Sequence, residues 1–356
     1  MNPRIYVAVV ALFVLTTQIV PVGHPSAEQP SVASTIFFTS TRDNTTGVPP
    51  ITGGEIYALD YLEGGSFAPA RRLTSNPFAD IFPTLAPDGS GRIVFDSSRR
   101  RAGADPSNVS DLFLMNHDGT DQMFLTRGGS PTWSPARGRR KGSRTIAFHA
   151  SASGAGLPVN TFPGSATTDS DIFIVNVEHL LKHGTPPRNI TANRVDTVDD
   201  DPSWSPDGKQ IAFTSYASDP STTLTNSEIF VMRANGTRQV QLTNDGFEKR
   251  GATWSPDGQR LLFACRMGAA GANGLATFEL CIMDAVADAP IERLTINLVN
   301  DLTPTWSPDG KEIVFHKTPL NQLFTMHADG SGERQITLPP GLNLLATSWG
   351  RVAGRR

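Results

Sequence analysis

The sequence predicts an all-β protein built from six repeated four-stranded units. Three observations predict it: one phrase recurs along the chain, a short strand of alternating apolar residues follows each copy, and turn-forming residues are abundant. The 32 glycines and 27 prolines make up about a sixth of the 356 residues, more than the roughly 12% of an ordinary globular protein. The apolar fraction of 38% is enough to build a core, so the composition excludes a chain that is disordered throughout.

The repeat opens with the phrase Trp-Ser-Pro-Asp-Gly, which predicts the end of one strand followed by a tight turn. Proline presets φ for such a turn, and glycine accepts the positive φ that closes it. The phrase is intact in three copies, at 204–208, 254–258 and 306–310. It is degraded in two, at 85–89 and 133–135. The strand that follows each copy lies at 93–95, 146–148, 211–213, 261–263 and 313–315.

A further strand and a short closing segment that ends in threonine complete each unit. The strands lie at 55–59, 111–115, 171–175, 228–232, 279–283 and 322–326, and the closing segments at 72–74, 124–126, 189–191, 241–243, 293–295 and 335–337. Six matches in the same order predict units of four strands. We call these strands a, b, c and d, from the tryptophan strand outward.

The order of the strands predicts a closed ring. Tandem four-stranded units are typical of propeller blades packed around a central channel. The first unit starts at strand b, near Ile36, while the last tryptophan, Trp349, has no strand b after it. We therefore expect the C-terminal strand to complete the N-terminal blade, because this leaves no sheet edge exposed. The prediction is a six-bladed all-β propeller over residues 34–350, with a short tail at 351–356.

The N-terminal segment predicts export. Residues 1–27 contain one cation, Arg4, then the apolar run 5–15 and small residues up to Ala27, which is the layout of a signal peptide. An uncleaved anchor is the alternative. A net charge of −3 argues against a nucleic-acid binder, because such proteins carry a basic surplus. We expect a periplasmic or secreted monomer with no integral membrane segment after cleavage.

The repeated phrases and the strands after them resemble the TolB-type propeller repeat, a WD40-like repeat family. The resemblance covers about residues 34–350 and implies a propeller of this family without the α/β domain that precedes it in TolB. We expect a non-catalytic module that binds a protein or peptide in the cell envelope, because long irregular connections gather on one side of the predicted ring and catalytic motifs are missing. Related propellers also occur on serine peptidases and in pectin-degrading lyases, so the fold alone does not decide the function.

One side of the predicted ring is the better candidate for binding. The d–a and b–c connections share that side and are long and irregular, as in the binding surfaces of propellers. Charged residues precede the tryptophan strands there, namely Asp80, Asp199, Asp200, Asp201, Lys249, Arg250 and Asp301. We expect them to form a mainly acidic rim at the channel mouth that binds a protein or peptide ligand. The alternative is that the repeated aspartates brace the local backbone.

Cofactors and catalysis have weak support in the sequence. We expect no cofactor. The alternative is a calcium ion bound by Asp199, Asp200 and Asp201. The nucleophile phrase Gly-x-Ser-x-Gly and the zinc phrase His-Glu-x-x-His are both absent, so we expect no enzyme activity. A polysaccharide-acting enzyme similar to the pectin lyases and a purely structural envelope protein remain the alternatives.

The remaining histidines and the cysteines have structural explanations. His179 and His183 have a zinc-compatible spacing, but we expect a short surface helix there. His149 occupies the position after strand b in its unit, where we expect packing or hydrogen bonding between blades. Cys265 and Cys281 fall on the neighbouring strands b and c of blade five, where a disulfide is allowed in an exported protein.

Overall fold

A computed structural model of the chain describes most of the predicted propeller. The described residues are 31–41, 54–99, 110–135, 144–150, 170–192, 197–217, 226–266, 277–336 and 343–352, without the side chains of 343–347. The predicted signal peptide at 1–27 and most of the predicted tail lie outside these residues. No helix within the described ranges is long and apolar enough to cross a membrane.

Six four-stranded antiparallel sheets form the blades of a six-bladed propeller, as the repeats predict. Blade 1 contains β1 (Val32–Ser40), β2 (Glu55–Leu62), β3 (Arg71–Arg72) and the C-terminal β24 (Asn343–Gly350). Blade 2 contains β4 (Asp80–Leu85), β5 (Arg92–Ser97), β6 (Asp111–Asn116) and β7 (Met123–Arg127). Blade 3 contains β8 (Gly129–Trp133), β9 (Thr145–Ala150), β10 (Asp171–Asn176) and β11 (Arg188–Asn189).

The second half of the ring repeats this order. Blade 4 contains β12 (Thr197–Trp204), β13 (Gln210–Ala217), β14 (Glu228–Arg233) and β15 (Val240–Gln241). Blade 5 contains β16 (Lys249–Trp254), β17 (Arg260–Cys265), β18 (Glu279–Asp284) and β19 (Glu292–Arg293). Blade 6 contains β20 (Asn300–Trp306), β21 (Glu312–Thr318), β22 (Gln322–His327) and β23 (Arg334–Gln335).

The short helix expected around the two histidines is present. Helix α1 (Val177–His183) lies between strands c and d of blade 3, and Asn176 caps its start by accepting a hydrogen bond from the His179 amide. Gly184 ends it in the left-handed conformation, at φ 65°. Because c–d connections lie on the side of the short turns, the helix is on the opposite side of the ring from the long connections.

The C-terminal strand closes the ring, which confirms the predicted pairing of the two chain ends. β24 runs antiparallel to β1, with Ile36 opposite Trp349. The Trp349 indole donates a 2.8 Å hydrogen bond to the Ser34 hydroxyl, and the Leu85 amide of blade 2 donates a 3.0 Å bond to the Ser348 hydroxyl. The closing strand therefore bonds to both its own blade and the next one.

Tryptophans fasten neighbouring blades together. Trp133 of blade 3 donates to the Thr84 carbonyl of blade 2 at 3.0 Å, and Trp254 of blade 5 donates to the Ser203 carbonyl of blade 4 at 3.1 Å. Both rings are buried in apolar clusters that join two blades. This agrees with a structural role for the repeated phrase, since a buried indole contributes a large apolar area and one donor.

The threonine that ends each closing segment has a structural role that the sequence analysis did not assign. In blade 4, Thr243 donates to the buried Glu228 carboxylate at 2.5 Å and accepts from the Ile229 amide at 3.0 Å. The same arrangement recurs in blades 1, 3 and 5. The closing threonine therefore donates a hydrogen bond to the acidic first residue of strand c. This provides a partner for both buried polar groups, which buried polar groups in folded proteins generally have.

Candidate functional site

A cavity of about 350 Å³ opens in the channel on the side of the d–a and b–c connections. Its walls come from residues within the inner strands β4, β8, β12, β16 and β20, together with residues of strands b and residues just before strands c. Five of the six blades therefore contribute to one site.

The inner strands share a bulge that shapes this cavity. In blades 2 to 6, two residues of the inner strand lie opposite a single residue of strand b. The first bulged residue is left-handed in every case, with φ between 46° and 61°, at Phe82, Ser130, Asp201, Gly251 and Thr303. Left-handed backbone costs a non-glycine residue about 1 to 2 kcal/mol, and such strain tends to cluster at functional sites.

Proline follows the left-handed residue in four of these bulges, at Pro83, Pro131, Pro202 and Pro304. Proline has no amide to donate to a sheet, so it is tolerated at bulges and on strands with one free edge. An inner strand faces the channel along such an edge. The rings of Pro131, Pro202 and Pro304 therefore give the cavity apolar walls.

A charged cluster, formed by Asp96, His149, Asp200 and Asp201, crosses three blades along one wall of the cavity. His149 on β9 is buried and forms an ion pair with Asp200 of the next blade through Nδ1. The other ring nitrogen, Nε2, lies 2.6 Å from where a Cβ of Gly129 would be, and Asp96 Oδ2 lies 3.2 Å from the same point. Gly129 therefore leaves the space in which Asp96 and His149 approach each other.

Backbone and hydroxyl donors complete the charged cluster. The amide of Ser130 donates to Asp96 Oδ2 at 3.2 Å, and its hydroxyl donates to Asp201 Oδ1 at 3.1 Å. The amide of Gly251 in blade 5 donates to Asp201 Oδ2 at 3.1 Å. Because Ser130 and Gly251 are bulge residues, the bulges point amides at carboxylates of the preceding blades.

The environment of the charged cluster changes its protonation. Burial raises the pKa of Asp96 to about 8, although His149 and the Ser130 amide act against it. Burial and the neighbouring charge of Asp200 raise the pKa of Asp201 to about 6. Burial alone would lower the pKa of His149, but the charge and hydrogen bond of Asp200 outweigh it and raise that pKa to about 9. At neutral pH the imidazole is therefore charged and Asp96 is protonated.

Three of the residues expected at the rim lie outside the cavity walls. Asp80, Asp199 and Asp301 are fully buried. Asp80 accepts hydrogen bonds from Ser97 at 2.5 Å and Asn76 at 2.7 Å. Asp301 accepts from Asn297 at 2.7 Å and lies 3.3 Å from the Lys317 ammonium. Asp80 and Asp301 therefore tie a d–a connection to the start of its inner strand.

The other expected residues do line the cavity, with different partners. Asp200 and Asp201 belong to the charged cluster. Lys249 is fully buried, and its ammonium binds Glu228 at 2.9 Å, Asp245 and the Phe247 carbonyl at 2.7 Å. The positive charge of Lys249 is therefore paired with carboxylates of the protein itself.

Arg250 lies at the rim and is more exposed. Its guanidinium pairs with Glu248 and lies 4.8 Å from the centre of the Phe278 ring. Arg266 stacks on the same ring at 4.6 Å and also pairs with Glu248. Blade 5 therefore contributes two arginines, both paired with Glu248, next to the acidic residues of blade 4.

Asp96 is a cavity residue that the sequence did not point to. His149, for which we expected packing or hydrogen bonding between blades, pairs with Asp200 of the next blade. Asp96, His149 and Thr214 share one position of strand b, opposite the last residue before the bulge. The visible signal was proline two residues before the tryptophan position, because it marks where the inner strand bends away from strand b. Polar residues of strand b at that level then face the cavity.

The sequence also raised the possibility of a calcium site and of a disulfide. Within the described ranges, no three His, Cys, Asp or Glu side chains form a group that could hold a metal ion, and calcium at Asp199, Asp200 and Asp201 stays a prediction. Cys265 and Cys281 form a disulfide between β17 and β18, with their Cα atoms 5.9 Å apart.

Solved structures with a similar fold include two TolB proteins. A putative TolB from Agrobacterium tumefaciens has 16% identity and a TM-score of 0.57, over 90% of this chain and 94% of that one. TolB from Acinetobacter baumannii has 16% identity and a TM-score of 0.60, over 90% of this chain and 67% of that one. A chain of a nidogen/laminin complex has 14% identity and a TM-score of 0.58, over 89% and 97%. No family model matches the sequence. At this level of identity the likeness concerns the fold, and this chain has the six-bladed propeller fold of the TolB structures.

Proposed function

We propose that this protein is an exported, non-catalytic propeller of the TolB type that binds a protein or peptide in the cell envelope through the channel-mouth face. This face comprises the cavity and the d–a and b–c connections around it. The observation that carries the proposal is the cavity, where five bulged inner strands bring acidic and basic groups together. The predicted signal peptide at 1–27 supports a periplasmic or secreted location.

Exposed apolar side chains on the same face support a protein partner. Ile296 and Leu298, on the connection from blade 5 to blade 6, are 77% and 78% exposed. Phe247, on the connection from blade 4 to blade 5, is also exposed. Exposed large apolar groups on one face are typical of protein-binding surfaces.

The protonation of His149 argues against this residue as a catalytic base. A general base must be free to accept a proton near the working pH. His149 already carries its proton up to about pH 9, because Asp200 holds it. The histidine at the cavity is therefore suited to fix a charge pattern, and it is poorly suited to remove a proton from a sugar.

Photo-cross-linking from the two sides of the ring tests the proposal. Leu298 of the full chain is replaced by p-benzoylphenylalanine, and the protein is irradiated in an envelope fraction of the producing cells. We expect one discrete cross-linked protein, because the position lies on a d–a connection of the channel-mouth face. The matched control is Val286, which is also exposed but lies on a c–d turn on the opposite side.

The control decides the outcome. Adducts from position 298 and none from position 286 support a partner on the channel-mouth face. Equal adducts from both positions, or none from position 298, contradict it. Turnover of a glycan by the purified protein would contradict its non-catalytic part.

A further inference from the structure

Asp96 lines the cavity, and one of its two carboxyl oxygens has no hydrogen-bond partner among the described residues. Its side chain is buried, with 3% of the residue exposed. Oδ2 accepts from the Ser130 amide, whereas Oδ1 has no hydrogen-bond partner within the described residues. A buried carboxylate oxygen without a donor is costly, and such groups are rare in folded proteins. A ligand with N–H donors would remove this cost.

The wall around Asp96 carries more acidic than basic groups. Asp96, Asp200 and Asp201 line it together, and His149 is the one cation within this charged cluster. Lys249 and Arg250 also line the cavity, but their charges are paired with carboxylates outside the cluster. When the three aspartates are ionised, the cluster therefore has an excess of negative charge.

The raised pKa values are consistent with this excess. Burial raises the pKa of Asp96 to about 8, and the nearby carboxylates raise it further while His149 opposes them. Burial and Asp200 also raise the pKa of Asp201. The charged groups that act on Asp96 come from two elements, His149 on β9 and Asp200 and Asp201 on β12. A bound cation would lower both aspartate pKa values.

The rest of the cavity suits an aliphatic chain. Phe82, Pro131, Pro202 and Pro304 contribute apolar surface beside the carboxylates. An ammonium on an alkyl stem has this distribution of properties, with three donors at one end and methylene groups behind them. The cavity volume of about 350 Å³ leaves room for such a chain.

We propose that the cavity binds a primary alkylammonium group, which donates hydrogen bonds to Asp96 and Asp201 while its alkyl stem packs on the three prolines. The location rests on the proposed function, because the cavity opens on the channel-mouth face. The group comes either from a lysine side chain of the partner or from a free diamine. These two sources share one chemistry and are separated in the experiment.

Binding releases a proton. Asp96 is protonated at neutral pH, and the arriving ammonium remains protonated because its own pKa is near 10. The Asp96 carboxyl loses its proton to solvent, and the resulting carboxylate accepts an N–H of the ammonium. No bond other than this O–H bond is broken. Affinity should therefore rise as the pH rises from 6 to 8.

Isothermal titration calorimetry tests this proposal on the full mature chain. The probes are n-butylammonium, cadaverine and the peptide acetyl-Gly-Lys-Gly-amide, each in two pH 7 buffers with different ionisation enthalpies. We expect saturable binding, with a heat that depends on the buffer because close to one proton is released. Tighter binding of the peptide indicates a lysine of a partner, and tighter binding of cadaverine indicates a free diamine.

Two variants and one control locate the site. Asp201→Asn removes a charge, and Asp96→Asn removes the carboxylate that forms when the ammonium binds. Asparagine tolerates the left-handed backbone at 201. Each should weaken butylammonium binding by about tenfold or more, since hydrogen bonds to charged groups contribute about 1.5 to 3 kcal/mol. Asp329→Asn, on an exposed turn on the opposite side, should leave binding unchanged.

Three results would overturn the proposal. The first is the absence of saturable heat with any amine. The second is an equal affinity of Asp96→Asn and Asp329→Asn for butylammonium. The third is binding of calcium from calcium chloride by a protein that does not bind the amines. The proposed function is judged separately. A cross-link from position 298 with no amine binding leaves the protein-binding function intact and removes only the ammonium site.

Discussion

Raising the pH from 6.5 to 8 should lower the free energy of unfolding, because Asp96 and His149 hold protons that the unfolded chain gives up. Folded Asp96 has a pKa of about 8, whereas an unfolded aspartate has lost its proton above about pH 4. The contribution of Asp96 to the free energy of unfolding therefore falls as the pH rises from about 4 to about 8. Folded His149 has a pKa of about 9, so its stabilising effect is complete below about pH 6.5 and is lost as the pH approaches 9.

The size of the effect follows from proton counting. Each proton held only by the folded state lowers the free energy of unfolding by about 1.4 kcal/mol per pH unit. Each group is partly titrated at one end of this window, so the two together give roughly 3 kcal/mol between pH 6.5 and pH 8. Asp96→Asn removes one of the two protons, and about half of the pH dependence should remain.

Guanidinium chloride unfolding, followed by tryptophan fluorescence at four pH values with the disulfide intact, measures this slope. The control is Asp257→Asn, because hydrogen bonds from Ser255 and the Gln259 amide lower the pKa of Asp257 and its titration lies below the window. That variant should keep the slope of the unchanged protein. A flat free energy of unfolding, or the same slope in Asp96→Asn, would refute the proposed protonation of the charged cluster.

Three further predictions concern the scaffold. Truncation after Leu342 removes β24 and should abolish cooperative thermal unfolding, and a normal melting curve would contradict ring closure by that strand. Gly251→Ala should lower the free energy of unfolding by about 1 kcal/mol in denaturant, because the residue has φ 61° and a Cβ there would meet no atom within 4 Å. Thr303→Gly, at the same bulge position, should raise the free energy of unfolding by a similar amount. Equal changes in the two variants would exclude backbone strain. Titration of the unfolded, unreduced protein should find no free thiol, and two thiols would rule out the bridge between Cys265 and Cys281.

The sequence was sufficient to predict the ring because its repeat is strict. Glycine and proline at fixed offsets set the turns, and a strand missing at one end of the chain matched a strand left over at the other. Such signals are local or periodic. The pairing of β24 with β1 followed from them without knowledge of any side-chain contact.

The site was only partly predictable, because it depends on which way neighbouring side chains point. Asp199 and Asp200 are adjacent, yet Asp199 is buried away from the cavity walls while Asp200 lines the cavity. Side chains alternate along a strand, and a bulge shifts that alternation by one residue. The pairing of His149 with Asp200 joins two blades, and a single sequence contains no signal for it.

Hydrogen–deuterium exchange of the protein alone and in complex with its cross-linked partner tests the central claim, that the channel-mouth face is the binding face. We expect slower exchange in peptides covering 244–252 and 296–303, which join blades 4, 5 and 6 on the face that contains the cavity. Peptides covering the turns at 206–208 and 256–258, on the other side of the ring, should exchange at unchanged rates. Protection confined to those turns, with none around the cavity, would contradict the account.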